Sequence, residues 1–521
     1  MSALSTLDLA VVAIYAIGLI GLATWISREP AGHERTANDY FLAGRSLPWW
    51  AVGASLIAAN ISAEQIIGMS GSGYAMGLAI ASYEWMAAIT LILVGKFILP
   101  VLLRSGIYTM PQYLEQRYDR SVKTVMAVFW LGVYVFVNLT SVLWLGALAI
   151  NALTGLDMTS GLLALAAFAL AYSLYGGLRA VAMTDIIQVV LLVLGGLIVA
   201  WIALDRVAEG AGAWAGLATM YERMPERFDM ILSPDNPQYA NLPGLSVLLG
   251  GMWVMNLSYW GFNQYIIQRA LAAGSLKEAQ KGILFAAALK MLMPLIIVVP
   301  GMAALFLAPD LAKPDQAYPE MMKLAPAGIR GLIFAALIAA IVSSVGSMMN
   351  SVATLFTMDL LHQFRPRTSD RGLVRSGRIA GAVALLLAVI CARPLLGGFE
   401  QAFQYIQEFT GFFTPGICAI FLLGVFVRQT TALGALAAAL GSFLLSIAAR
   451  IWLPELPFMD RVGYVFLACC AIALGISALQ GWKAQPKSQA LPEGGFATTA
   501  GFNLGAVAVS AVLILIYASL G

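Results

Sequence analysis

The sequence predicts an all-α protein that crosses a lipid bilayer about 14 times. Three observations carry the prediction. The 521-residue chain is 60% hydrophobic and only 11% charged, with a mean hydropathy of +0.83, whereas soluble domains carry roughly 25% charged residues. Its apolar residues gather in runs close to the ~20 residues that a helix needs to span the hydrocarbon core. The polar residues inside those runs recur in similar short patterns.

Taken in order, the first run, 7–27, lacks a basic start and a small-residue cleavage site, so it reads as a retained span rather than a signal peptide. Runs at 50–70, 78–101, 123–150, 160–176 and 183–205 follow. A polar segment, 206–243, separates them from runs at 244–268, 280–308, 328–361, 377–393 and 400–427. Runs at 431–452, 459–481 and 501–520 complete the chain. The fourth and ninth are long enough to extend beyond the bilayer. Taking the connector after the first span as cytoplasmic places about 19 Lys and Arg inside and about 9 outside, the bias expected of cytoplasmic loops. Both termini then lie on the outer side of the cell (inner) membrane. No soluble stretch is long enough to fold alone.

Composition also excludes function classes. The net charge of +3 is scattered between apolar runs, which gives no nucleic-acid surface, and nothing points to an obligatory protein partner. Cys391, Cys418, Cys469 and Cys470 lie in apolar stretches without metal-ligand spacing, and the two histidines, His33 and His362, lie in connectors. A His-based catalytic centre is absent from such a chain, and the sequence reads as non-enzymatic.

Two spans carry a similar polar interruption. The second contains Asn60-Ile61-Ser62 and the seventh Asn256-Leu257-Ser258. They are five spans apart, and an odd offset reverses orientation, as an inverted repeat requires. Unwound backbone at such breaks presents carbonyls and amides to transported solutes. On this reading the single transport domain, 1–521, comprises an extra N-terminal helix (7–27), a first repeat (50–205), an inverted second repeat (244–427) and extra C-terminal helices (431–520).

Further polar side chains fall at mid-span: Glu64 and Gln65, Glu84, Asn138, Lys290, and Gln404, Gln407 and Glu408. Lys290 lies well inside its run, where a charge marks function and requires a partner. The aromatic residues Tyr83, Trp85, Tyr259, Trp260 and Phe403 lie close by in sequence. Packed together, these groups form a polar, aromatic-walled cavity suited to a neutral polyhydroxylated ligand. Amides and carboxylates exchange hydrogen bonds with hydroxyls, and a ring face accepts the C–H face of a sugar. In the ninth span, Ser343 and Ser344 follow Ala340 at helical spacing, and their hydroxyls are hard oxygen ligands of the kind a sodium ion takes. The competing reading is close helix packing by small residues. Asp185 opens the sixth span at the cytoplasmic edge, with Arg179 as a nearby partner.

The stretches DYFLAGRSLPWWAVGASLIAANISAEQ, YEWM, NLTSVL, YGGLRAVAMTDIIQ, WGFNQYIIQR, AQKGI, AAIVSS and FQYIQE resemble the solute:sodium symporter family. The resemblance is to its sugar branch, which holds the bacterial sodium/galactose symporters and the animal sodium/glucose cotransporters. It implies a LeuT-type core of two inverted five-helix repeats and sodium-driven symport of a neutral sugar, of the galactose or glucose type, by alternating access. By residue match it implies sugar contacts at Asn60, Gln65, Glu84, Asn256, Lys290 and Gln407, with Tyr259 stacking on the sugar and closing the inner path. Met69, Tyr83 and Phe403 match an outer gate, and Trp260 is grouped with them. Sodium would take the carbonyls of Ala58, Ile61 and Ala340 with the hydroxyls of Ser343 and Ser344, and Asp185 matches a position on the ion's exit. One position departs from the pattern: Ala87 stands where the galactose symporters carry Ser.

Overall fold

The computed structural model describes residues 4–26, 42–398, 401–488 and 496–520; the side chains of 23, 26 and 172–181 lie outside the described set, as do His33 and the Arg179 side chain. Apart from one isolated bridge at Leu47 and Ala273, the regular structure among these residues is helical. Each of the fourteen predicted runs holds helix, and among the described residues nine helices are long and apolar enough to cross a membrane. The pair Ala402–Gly411 and Thr414–Phe426, bent by 48°, adds a tenth. Some of the remaining runs are interrupted into pieces too short to pass singly, and those at 7–27 and 160–176 adjoin positions whose side chains lie outside the described residues.

The second run is helical over Trp49–Asn60, breaks at Ile61 (ψ 92), and resumes as a π-helix over Glu64–Met69 and an α-helix over Ser70–Met76. It ends at Gly77, whose φ of 80° an L side chain rarely adopts. The seventh run differs from its prediction. Helix continues through Asn256-Leu257-Ser258, and the break falls at Asn263 (φ −77, ψ 126), before the helix Gln264–Leu271. The fifth and sixth runs also differ, because helical bonding continues through Met158–Val207 where a turn was expected.

Polar side chains start the unbroken helices. Asp119, Asp157, Ser275, Ser369 and Thr431 each accept a hydrogen bond from a first-turn amide of the helix that follows. The ninth span, Ile329–Thr354, is capped from another helix. Asp8 of the first span, Thr6–Ile26, accepts from the Gly328 and Gly331 amides at 2.7 and 2.8 Å and pairs with Arg330 at 2.8 Å. Gly331 allows this approach, since a Cβ there would lie 2.5 Å from the Asp8 Cα.

The ninth span lies at the centre, with 89% of its apolar window buried among the second, sixth, first and tenth spans. The eighth, Leu276–Leu307, packs on the second, third and sixth. The fourteenth, Ala500–Leu520, is 11% buried and shows Leu504, Ile514 and Leu515 outward, as a lipid-facing helix does.

Candidate functional site

The break in the second span sits beside the buried charge of the eighth. Lys290, fully buried, donates to Glu84 Oε2 at 2.5 Å and to Asn60 Oδ1. Its ammonium lies 4.9 Å from the centre of the Trp260 ring. Asn60 Nδ2 donates to the Tyr259 hydroxyl at 3.0 Å. Residues from the second, third, seventh and eighth spans thus form one chain of contacts around an ion pair. Two charges removed from water are costly, and the attraction between them offsets that cost only with close geometry and further hydrogen bonds; Asn60 supplies such a bond, and the Trp260 ring adds a cation–π contact.

All twelve residues of the predicted substrate and gate sets line one cavity. They are Asn60, Gln65, Glu84, Ala87, Asn256, Tyr259, Lys290 and Gln407, with Met69, Tyr83, Phe403 and Trp260. Asn256 Nδ2 is buried there without a protein partner among the described residues. Gln65 Oε1 accepts from the Ser62 amide and hydroxyl at 3.2 and 3.1 Å, which braces the break. Tyr83 meets Phe403 edge to face with ring centres 5.3 Å apart, and Met69 is buried with them.

Other mid-span polar residues fall outside this cavity. Trp85 donates to Met291 O at 3.3 Å. Asn138 and Glu64 are buried elsewhere, each with one side-chain oxygen lacking a protein partner among the described residues. Gln404 and Glu408 face a separate cavity. The expected single polar cluster is therefore divided, because residues one position apart on a helix point about 100° apart.

The predicted cation ligands meet in part. Ser62's amide turns to Gln65, not to the Ala58 carbonyl one turn back, and Ser344 Oγ donates to Ala58 O and Ala59 O at 3.4 and 3.3 Å. Ile61 and Ala340 are fully buried. Ser343 donates its proton to Asp185 Oδ1, which leaves the lone pairs of its hydroxyl for a cation.

Asp185 is fully buried near the start of the candidate span Ala182–Val207, and Ser55 donates to its other oxygen at 2.5 Å. The cation near it is Arg269, which donates to Ser55 Oγ at 3.1 Å and to Ser347 Oγ and Tyr265 O. Arg269 and Ser55 escaped the sequence reading, because an Arg at the end of an apolar run counts as a connector charge. A further group it missed lies beside Tyr259. Tyr259 and Tyr265 hydroxyls are 2.6 Å apart, and the Tyr134 hydroxyl donates to Asn263 Oδ1 at 2.6 Å. Polar residues just past Tyr259 were the available signal.

The chain matches the model of the sodium:solute symporter family over residues 40–441. It is 49% identical to a sodium/glucose cotransporter of Vibrio parahaemolyticus, with 99% of this chain and 98% of the relative covered. It is 33% identical to the mouse sodium/myo-inositol cotransporter 2, covering 85% of this chain and 70% of the relative. In fold it is similar to a Na+-coupled sialic acid symporter solved with substrate in an outward-open state. The TM-score is 0.80 at 21% identity, covering 91% of this chain and 98% of that one.

Proposed function

The chain belongs to the sodium:solute symporter family, and from that premise we propose that it carries a neutral hexose, of the galactose or glucose type, into the cell with sodium. The observation that carries this reading is the Lys290–Glu84 pair, with Lys290 also donating to Asn60, set in a cavity walled by Tyr83, Trp260, Tyr259 and Phe403. The site offers donors and acceptors, an internally balanced charge and ring faces, which is the chemistry of a polyhydroxylated neutral solute. The names of the two curated relatives, one glucose and one a cyclic polyol, support the same class.

In this reading the sugar is held by Asn60, Gln65, Glu84, Asn256, Lys290 and Gln407, and Tyr259 stacks beneath it. Met69, Tyr83, Phe403 and Trp260 form the outer gate. Sodium travels as cargo between the second and ninth spans, on the carbonyls of Ala58, Ile61 and Ala340 and the hydroxyls of Ser343 and Ser344. These are hard oxygen donors of the kind alkali and alkaline-earth cations take. Asp185 receives the ion on its way inward. The ion sits where two opposed repeats, 50–205 and 244–427, meet, so it favours one arrangement of the halves over the other. Differential affinity of this kind is the source of coupling. One charge crossing 100 mV supplies ~2.3 kcal/mol. A tenfold sodium gradient adds ~1.4 kcal/mol, so one ion supports roughly 500-fold accumulation. The orientation that follows from the Lys and Arg bias puts both termini outside the cell (inner) membrane.

The test is uptake of labelled galactose, glucose and myo-inositol into proteoliposomes with and without an inward sodium gradient. Accumulation of a hexose that requires the gradient is the expected result. Accumulation of none of the three overturns the sugar reading, and sodium current without accumulation makes the protein a sugar-gated channel.

A further inference from the structure

The segment that leads into the tenth span carries charge that the transport site does not use. Residues 361–378 hold Arg365, Arg367, Arg371, Arg375 and Arg378 against one carboxylate, Asp370. Arg365, Arg367, Arg371 and Arg375 are exposed. Arg371 and Arg375 fall in the first two turns of the helix Asp370–Leu396. A helix dipole opposes cations at that end, so their gathering there calls for anions from outside the chain. The same segment shows an aromatic ring to the surroundings, since Phe364, next to Arg365, is 71% exposed.

We propose that this end of the tenth span is a binding site for anionic phospholipid headgroups of the adjoining leaflet, the cytoplasmic one in the orientation proposed above. Helical register carries the proposal. Arg371, Arg375, Ile379, Val383, Leu386 and Ile390 recur every three or four residues, so they share one face of the helix. The four apolar members are exposed, as side chains that meet acyl chains are. Along the axis Arg375 stands about 6 Å and Arg371 about 12 Å beyond Ile379. That spacing matches the passage from hydrocarbon through a headgroup layer roughly 5–8 Å deep. A headgroup phosphate accepts paired hydrogen bonds from a guanidinium, and its acyl chains then run down the apolar stripe. Phe364 adds the apolar ring that a surface-binding segment buries among headgroups beside its cations.

The opposite face of the same helix keeps the arginine row turned outward. Leu373, Val374, Gly377, Gly381 and Ala384 are buried, and a Cβ on Gly381 would lie 3.3 Å from the Met349 carbonyl oxygen of the ninth span. A lipid held on the outer face therefore grips a helix packed directly on the span that bears Ser343 and Ser344. A free phosphate would meet the guanidiniums but leave the apolar stripe and Phe364 unused, which favours a lipid as the occupant.

The experiment measures how spin-labelled phosphatidylglycerol associates with the full-length protein in phosphatidylcholine bilayers, read by electron paramagnetic resonance. The wild type is expected to prefer it over equally labelled phosphatidylcholine. One cation near an anionic surface is worth about fivefold in affinity, so Arg371→Gln with Arg375→Gln lowers the preference by up to about 25-fold. Arg365→Gln with Arg367→Gln, outside the helix, lowers it as well and guards against a folding defect in the first pair. Lys483→Gln, at an exposed cation after the thirteenth span, leaves it unchanged. Thermal unfolding gives a second reading, because a lipid bound to the folded state raises the midpoint. Phosphatidylglycerol raises it in the wild type and less in either double variant. No preference in the wild type overturns the proposal. So does an equal preference in the wild type and both double variants, or an equal loss in Lys483→Gln, which would mean a diffuse surface charge. Displacement of the labelled lipid by excess inorganic phosphate overturns the lipid as occupant. All of these outcomes leave the sugar reading standing.

Discussion

At the break in the second span the freed groups point into space shared with other helices. Ala58 O lies toward the Ser344 hydroxyl, and Asn60 reaches Lys290 and Tyr259. At the break in the seventh span the freed groups are covered by neighbouring side chains. The Tyr134 hydroxyl donates to Asn263 Oδ1 at 2.6 Å and accepts from the Tyr265 amide at 3.4 Å. The two interruptions thus have different surroundings. The first leaves its groups facing other helices, where the proposed reading seats sodium and sugar, while the second is bolted by tyrosines. In the proposed inverted repeat, what surrounds each break decides its use.

The largest test removes the charge beside the first break. Lys290→Ala leaves Glu84 buried without its partner, which costs roughly 3–5 kcal/mol. Uptake falls by at least about a hundredfold, and thermal unfolding of the purified protein reads the loss of stability. Lys290→Met with Glu84→Gln restores much of that stability without restoring uptake. Recovery of uptake in the double variant would make the pair structural and remove it from the substrate site.

Ser344→Ala tests the cation side of the same break. A lost contact to a charged group is worth about 1.5–3 kcal/mol, so half-maximal sodium rises roughly 10- to 150-fold. Sodium titration of uptake measures it, and an unchanged midpoint would place the ion elsewhere. At the second break, Tyr134→Phe removes the hydroxyl's bond to Asn263, a neutral bond worth about 0.5–1.5 kcal/mol, and with it the long 3.4 Å contact from the Tyr265 amide. The uptake rate changes two- to tenfold while half-maximal sodium stays where it was. A shift in the sodium midpoint instead would erase the division of labour between the breaks. The smallest effect is expected at Ala87, which lines the cavity with a methyl group. Ala87→Ser leaves the galactose-to-glucose uptake ratio within about twofold, because a buried Ser on a helix bonds the preceding turn. A larger change would assign that side chain a part in sugar selection.

The transmembrane runs were legible because lipid demands long apolar stretches, and the first break because polar residues crowd it from Asn60 to Gln65. The second break was misplaced by seven residues. Asn256 and Ser258 are polar side chains on intact helix, and the unwinding at Asn263 carries neither Gly nor Pro to announce it. The residues that line the central cavity were legible through motif resemblance. The Asp185–Ser55–Arg269 network was not, since it joins residues up to 214 positions apart and its charges lie near the ends of apolar runs. Gln404 and Glu408 were legible as polar but not as a separate group, because the phase of a helix against its neighbours is set by packing alone.

The bond from Asp8 to the ninth span has a consequence for how the protein is made. The chain emerges amino end first, and the Gly328 amide appears 320 residues after the carboxylate that satisfies it. Until the two meet, the first helix holds a carboxylate and the ninth an open amide terminus within or near lipid, both expensive there. Each therefore has a reason to seek the other during insertion. The added first span serves as a clasp on the amino end of the helix that carries Ser343 and Ser344. A chain shortened by its first 26 residues would insert most of its spans and still fail to mature, with the ninth helix left unfastened at that end.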